Sequence, residues 1–276
     1  MRGSVLWLGL VTLITTSCAI SAASATPHVF DPASPRDNIE AWVKLAGDTS
    51  GRPTFRVTRM VAYAVPEDSA SRPLFALRSI SRSEYRRLPE GGFESRSLAC
   101  GAYFDAASGA PINSFADPLD GKQVAVAPFC GKVSGERISA VRGLEMTAAF
   151  PMESSIFGRP YLLAWQIDGR TAHVERVAHT IWTEPGSGRR KAETSVDSFD
   201  APVSSLTDPR ITSIDVPSNY TLVTEWMTAM KLAGRPGKML WLSRGSKLHS
   251  AAALPADLLA AIAPVAQGRM VQPLKW

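Results

Sequence analysis

RSLACGAYFDAASGAPINSFADPLDGKQVAVAPFC, residues Arg96 to Cys130, sets two turn clusters inside a period-two pattern, and its reading decides the fold class. Leu98, Cys100, Ala102 and Phe104 recur at every second position, as do Val124, Val126 and Cys130, with Pro128 interrupting. Asp105–Gly109 and Asp117–Gly121 carry the turn residues between them. Three extended segments joined by two turns make an antiparallel meander, which is a scaffold and not a chemistry.

The alternation continues outward. Towards the N-terminus, Phe55, Val57, Val61, Tyr63 and Val65 alternate with Arg56, Thr58 and Ala62; a Pro/Ser-rich turn (66–73) precedes a second extended run, Leu74–Arg82, and a polar loop with Glu90-Gly91-Gly92 leads to the meander. Towards the C-terminus, Ile138, Ala140, Leu144, Met146, Ala148 and Phe150 share one face of a long strand. Asp168-Gly169, between Tyr161–Ile167 and Arg170–Trp182, is the sharpest hairpin signal, and a type I′ turn there pairs Ile167 with Arg170 and Trp165 with Ala172. Ser195–Ser218 reads as a meandering Asp/Pro/Ser-rich segment.

Helical spacing is rarer. Ile39, Trp42, Val43 and Ala46 predict a helix ending at Ala46 and capped by Ser34 or Asp37, with Trp42 as a core plug. A buried helix or helical turn is expected over Tyr220–Leu232, a strand over Lys238–Ser243, and a last helix from near Pro255 to before Pro264. With strands outnumbering helices by roughly ten to three, the expected fold is mainly β: an antiparallel β-barrel or half-barrel, a calycin-like meander, with a few short helices as plugs or covers.

The first 25 residues resemble a secretory signal peptide: Arg2, an apolar Val5–Ile14, and Ala23-Ser24-Ala25 before Thr26. Cleavage near Ala25 would leave a single β-rich domain, 26–276, periplasmic or secreted, whose charge falls from +5 to +4 with the loss of Arg2. The apolar run is too short for a persuasive membrane span, and Thr15 stands where a lipoprotein signal needs an aliphatic residue before Cys18. No transmembrane span is expected in the mature chain. Hydrophobic residues at 45% and charged residues at 20% of 276 argue against disorder. The densest basic run, Arg189-Arg190-Lys191, sits in a Gly/Ser turn, so no nucleic-acid partner is expected. Cys100 and Cys130 remain after cleavage. Parity in an oxidising compartment favours a disulfide. The meander register opposes it, placing them about 20 Å apart where a bond needs about 4.4–6.8 Å.

No G-x-S-x-G, H-E-x-x-H, P-loop, G-x-G-x-x-G or C-x-x-C motif is present, and no metal or cofactor is implied. His173, Glu175 and His179 face one way on an extended strand; a metal could take the first two, about 6.6 Å apart at their α-carbons, but hardly all three. They form either a solvated outer face or a polar patch in a ligand cavity, where His173 beside Glu175 could act as a general base. Glu225, in an apolar stretch, is the further candidate acid or anchor. Trp165, Trp182, Trp226, Met227 and Met230 are either packing or the lining of a pocket for a small apolar or amphipathic molecule.

Three pieces together resemble an uncharacterised family, the domain of unknown function numbered 1838: Phe104-Asp105 with Gly109, Phe115, Asp117-Pro118 and Gly121; Glu225-Trp226-Met227 with Met230; and Gly234-Arg-Pro-Gly237 with Gly245 and Lys247-Leu248. The chain looks like a divergent member, and the resemblance implies one domain and no activity. Three functions remain open: an exported binding protein for a small hydrophobic or amphipathic molecule, an acid–base enzyme (lyase, isomerase or hydrolase type) using His173, Glu175 or Glu225 in the same cavity, and a structural envelope module with a filled barrel.

Overall fold

The computed structural model describes residues 28–147, 152–184 and 188–276; the expected signal peptide, Ala148 and Phe150 lie outside them. Helix α1 (Pro35–Ala46) opens the fold, with Ser34 as N-cap accepting from the Asp37 amide at 3.3 Å and Pro35 in the first turn. Strands β1 (Thr54–Val65), β2 (Arg72–Arg87) and β3 (Phe93–Phe104) follow, then the short β4 (Ser114–Ala116), β5 (Gln123–Ala125), β6 (Phe129–Cys130), β7 (Ser134–Ser139), β8 (Gly143–Thr147) and β9 (Met152–Ser154). The chain continues through β10 (Ala164–Asp168), β11 (Thr171–Thr183), β12 (Arg190–Pro202), α2 (Val203–Thr207), β13 (Ser218–Thr224), β14 (Lys238–Leu248) and α3 (Ala256–Ala266).

The main sheet runs β10-β11-β12-β13-β14-β1-β2-β3-β7-β8, an antiparallel half-barrel, with β6 beside β3 and β9 beside β11. First and last long strands meet in its middle, from Phe55↔Leu248 to Val65↔Lys238. The open seam falls between β8 and β10. Loop backbone crosses it: the Ser155 amide donates to the His179 carbonyl at 2.9 Å and the Gly158 amide to that of Leu144 at 3.1 Å.

Helices act as plug and cover. Trp42 of α1 is buried against Tyr161 and Phe199, edge-on to Phe199 at 5.6 Å, and closes one end. At the other end Phe75, Phe115, Trp226, Met230 and Trp241 form a second cluster, with Phe75 4.7 Å from Phe115. Outside, Leu258 and Ile262 of α3 cover Phe55, Ile80 and Leu98, the face of β1–β3 opposite to the barrel interior.

Several local expectations are corrected. Both turns of the opening stretch form, each held by an Asp: Asp105 accepts from the Ser108 amide at 2.7 Å and Asp117 from the Leu119 amide at 2.7 Å. The third segment, however, does not extend the meander. β4 and β5 pair only with each other, and the chain returns to β3 so that Cys130 lies opposite Cys100. The two cysteines are disulfide-bonded, with α-carbons 4.0 Å apart.

The hairpin after β10 turns one residue later than expected, pairing Asp168 with Thr171 and Trp165 with Val174. Gly169, at φ 54°, takes the first central position of the turn, which preserves both faces while changing the partners. Residues 138–147 are not one strand, because the chain turns between β7 and β8. Val196–Phe199 lies inside the long β12, and Tyr220–Thr224 is strand, not helix, its β-branched Thr221, Val223 and Thr224 suiting a strand paired on both sides. β14 runs through Gly245, and α3 includes Pro264.

Lys247 ties β14 to the C-terminus of α1. Its buried Nζ donates to the carbonyls of Lys44 at 2.7 Å and Gly47 at 3.0 Å and to Ser213 Oγ at 2.7 Å. Burial pushes its pKa down from 10.5 to about 7. Between those values the unfolded chain binds the proton that the folded chain has released, so stability rises with pH across that window. Urea unfolding at pH 7 and pH 9 should give the wild type a gain of about 2 kcal/mol relative to Lys247→Met; an unchanged difference refutes it.

Candidate functional site

Between the two end clusters the interior is polar. A cavity of about 530 Å³ is lined by eight serines together with Thr58, Arg56, Tyr85, Glu136, Arg176, Asp197 and Tyr220. The register assembles this lining row by row: Ser83, Ser97 and Ser134 stand side by side on β2, β3 and β7, and Tyr85, Ser95 and Glu136 form the next row. Arg176, Asp197, Tyr220 and Ser243 make a third across β11 to β14. Short hydroxyls at these inward positions leave the volume open; a filled barrel needs large apolar side chains there.

The charges sit in this wall. Arg176 grips Asp197 through Nη2 at 2.8 Å and Nε at 3.1 Å, and its Nη1 lies 3.9 Å from Glu136. Its guanidinium stacks over Trp42, 4.2 Å from the ring centre, so the plug and the charged wall are one unit. Arg56 donates from Nη2 to the Leu45 carbonyl at 3.2 Å, while its Nη1 is buried without a hydrogen-bond partner among the described residues. Burial raises the pKa of Tyr85 and Tyr220, keeping both phenols protonated and able to donate.

The residues singled out in the sequence fall in three places. His173 and Glu175 lie on the outward-facing side of β11. His173 Nδ1 is 2.8 Å from Asp200 and Nε2 3.5 Å from Glu175, and these hydrogen bonds, Asp200's first, raise the imidazole pKa. Among the described residues no group of three or more side chains is placed to hold a metal ion. Trp182, Glu225, Trp226 and Met227 do come together, around a pocket of about 320 Å³ near the far end of β12. There Glu225 pairs with Arg189, and burial raises the pKa of neighbouring Glu193. Met230 is buried in the adjoining cluster. Trp165 packs at the opposite end, donating to Asn38 Oδ1 at 2.7 Å and lying edge-on to Phe30. His173 and Glu175 therefore do not converge with Glu225. The serine wall was missed, although Ser79, Ser81 and Ser83 recur with the strand period.

The model of the family described as "Protein of unknown function (DUF1838)" matches residues 190–267. The match places the resemblance to the DUF1838 family in this segment. No curated protein matches the chain. The DUF1838 segment spans β12 through α3 and supplies Asp197, Ser218, Tyr220 and Ser243 to the cavity wall. Two of the motifs that carried the resemblance lie within it and pack on each other. Trp226 Nε1 donates to the carbonyls of Arg235 and Pro236, each at 3.2 Å. Gly237, at φ 99°, lies under the indole, where an added Cβ would stand 2.6 Å from Trp226 Cζ2. These DUF1838 residues close the barrel end rather than line the large cavity.

Proposed function

We propose that the protein is an exported binding protein that holds a small amphipathic molecule in the cavity between Trp42 and the Phe75–Trp241 cluster. The observation that carries this reading is the eight-serine lining of a cavity of about 530 Å³, a size within the usual range for small-molecule sites. A chain that needed only a stable barrel would place apolar bulk at those positions. The polar wall shifts the ligand from the apolar class to one with hydrogen-bonding groups. Export rests on the Arg2, Val5–Ile14 and Ala23-Ser24-Ala25 pattern. No described helix is long and apolar enough to cross a membrane.

Native mass spectrometry of the protein recovered from the periplasmic fraction tests both parts. The expected species begins at Thr26 and carries a small-molecule adduct, which the cavity-filling Ser81→Leu variant loses while keeping its circular dichroism. A chain retaining residues 1–25 contradicts export. A folded wild type that carries no adduct and binds no small polar compound contradicts the binding role.

A further inference from the structure

We infer that the cavity's ligand is a hydroxylated monocarboxylate, with its carboxylate on Arg56 and its hydroxyls on the serine wall. This deepens the binding role proposed above and rests on it. Three observations carry the assignment. First, Arg56 Nη1 is buried in the cavity wall without a hydrogen-bond partner among the described residues, although a buried guanidinium N–H left unmet is costly. A ligand carboxylate supplies the missing acceptor as a charge-assisted bond.

Second, the charges present limit the ligand to a single negative charge. Arg176 is already engaged by Asp197 through two hydrogen bonds. Arg56 and Glu136 are then the remaining opposite charges on the wall, and the four groups together are neutral. A dianion such as a phosphate monoester would meet one uncommitted guanidinium and the field of two carboxylates.

Third, the remaining surface is built of groups that both donate and accept. Ser81 stands beside Arg56 in the β1–β2 register, and Ser83 and Ser97 are 2.9 Å apart across β2 and β3. Glu136 and the wall hydroxyls can accept from ligand hydroxyls, while the protonated phenols of Tyr85 and Tyr220 donate. A bare fatty acid would leave this wall unmatched, and a neutral polyol would meet Arg56 with an uncharged acceptor and no counter-charge.

Isothermal titration with D-gluconate, D-glucitol and hexanoate separates the parts, run beside native mass spectrometry of the untreated protein. Gluconate is expected to bind at least about tenfold more tightly than either of the others, and Arg56→Gln to weaken it by about tenfold, with Arg56→Lys recovering part. If Arg56→Gln does not fold, the three-probe comparison on the wild type still decides. Glucitol binding as tightly as gluconate overturns the carboxylate, and hexanoate doing so overturns the hydroxyl wall. If no probe binds, an acidic, oxygen-rich adduct supports the assignment; a neutral or cationic adduct overturns it and leaves the cavity reading standing. No adduct and no binding overturn both.

Discussion

Asp197→Asn lowers the unfolding free energy by about 3–5 kcal/mol, the usual consequence of stripping one partner from a buried ion pair. The pair is largely withdrawn from water, with side-chain exposures of 18% for Arg176 and 21% for Asp197. Asn keeps the volume but not the charge, so Arg176 is left with Glu136 at 3.9 Å. The loss spreads to the plug, because the Arg176 guanidinium stacks on Trp42. Urea unfolding followed by tryptophan fluorescence should give a lower midpoint and an altered native emission. The double variant Arg176→Met, Asp197→Leu should recover part of the loss, since neither member of the pair is left without the other, although Glu136 loses its contact with Arg176. A single-variant loss below about 1 kcal/mol would match a surface pair and contradict this placement.

Replacing both cysteines by alanine should cost about 3–4 kcal/mol, the chain-entropy expectation for a loop of this size. The bond closes a separation of 30 residues, and that loop contains the β4–β5 hairpin, which pairs with no other strand. Without the bond the hairpin keeps its packing against Phe75 and its neighbours and the Arg72 hydrogen bond to the Pro118 carbonyl. Limited proteolysis should therefore cut first between Asp105 and Gln123 in the variant and spare that stretch in the wild type. Cys100 is fully buried, so dithiothreitol without denaturant should leave the bond intact for much longer than in urea. Equal protease resistance with and without the cysteines would show that the loop stands without its staple.

Where one face is buried, the sequence pattern was readable. α1 with its Trp42 plug, β1, the strand faces of the β10–β11 hairpin and the half-barrel class all follow from apolar periods of 3.6 and 2. Pairing was harder, because period-two alternation fixes a face without naming the neighbour. Gln123–Ala125 does lie against the strand before it, β5 on β4, and it was β6 returning to β3 that brought Cys130 opposite Cys100. Residues 220–232 misled because apolar side chains on most positions fit a buried helix and a strand alike; β-branching was the better guide. A cavity was expected, but its lining was misplaced for a related reason. Trp182, Trp226 and Met230 are large residues that belong to one end of the barrel, whereas a hollow interior is written in small residues at inward positions. Ser79, Ser81, Ser83, Ser95 and Ser97 alternate with Ile80, Arg82, Arg96 and Leu98, and that alternation marked the wall.

The pairing of β1 with β14 also fixes an order of events. β1 leaves a ribosome long before β14, so one of its two neighbours arrives only after all the strands between them have followed. β1, β2 and β3 can associate early through short turns, but the half that contains Asp197 and Tyr220 docks on them through contacts between distant parts of the chain, which form slowly. Until then β1 is an edge, open to pairing with any other extended chain. A chain with this topology stays unfinished until its last strands emerge, and its surroundings must leave that edge alone until β14 arrives.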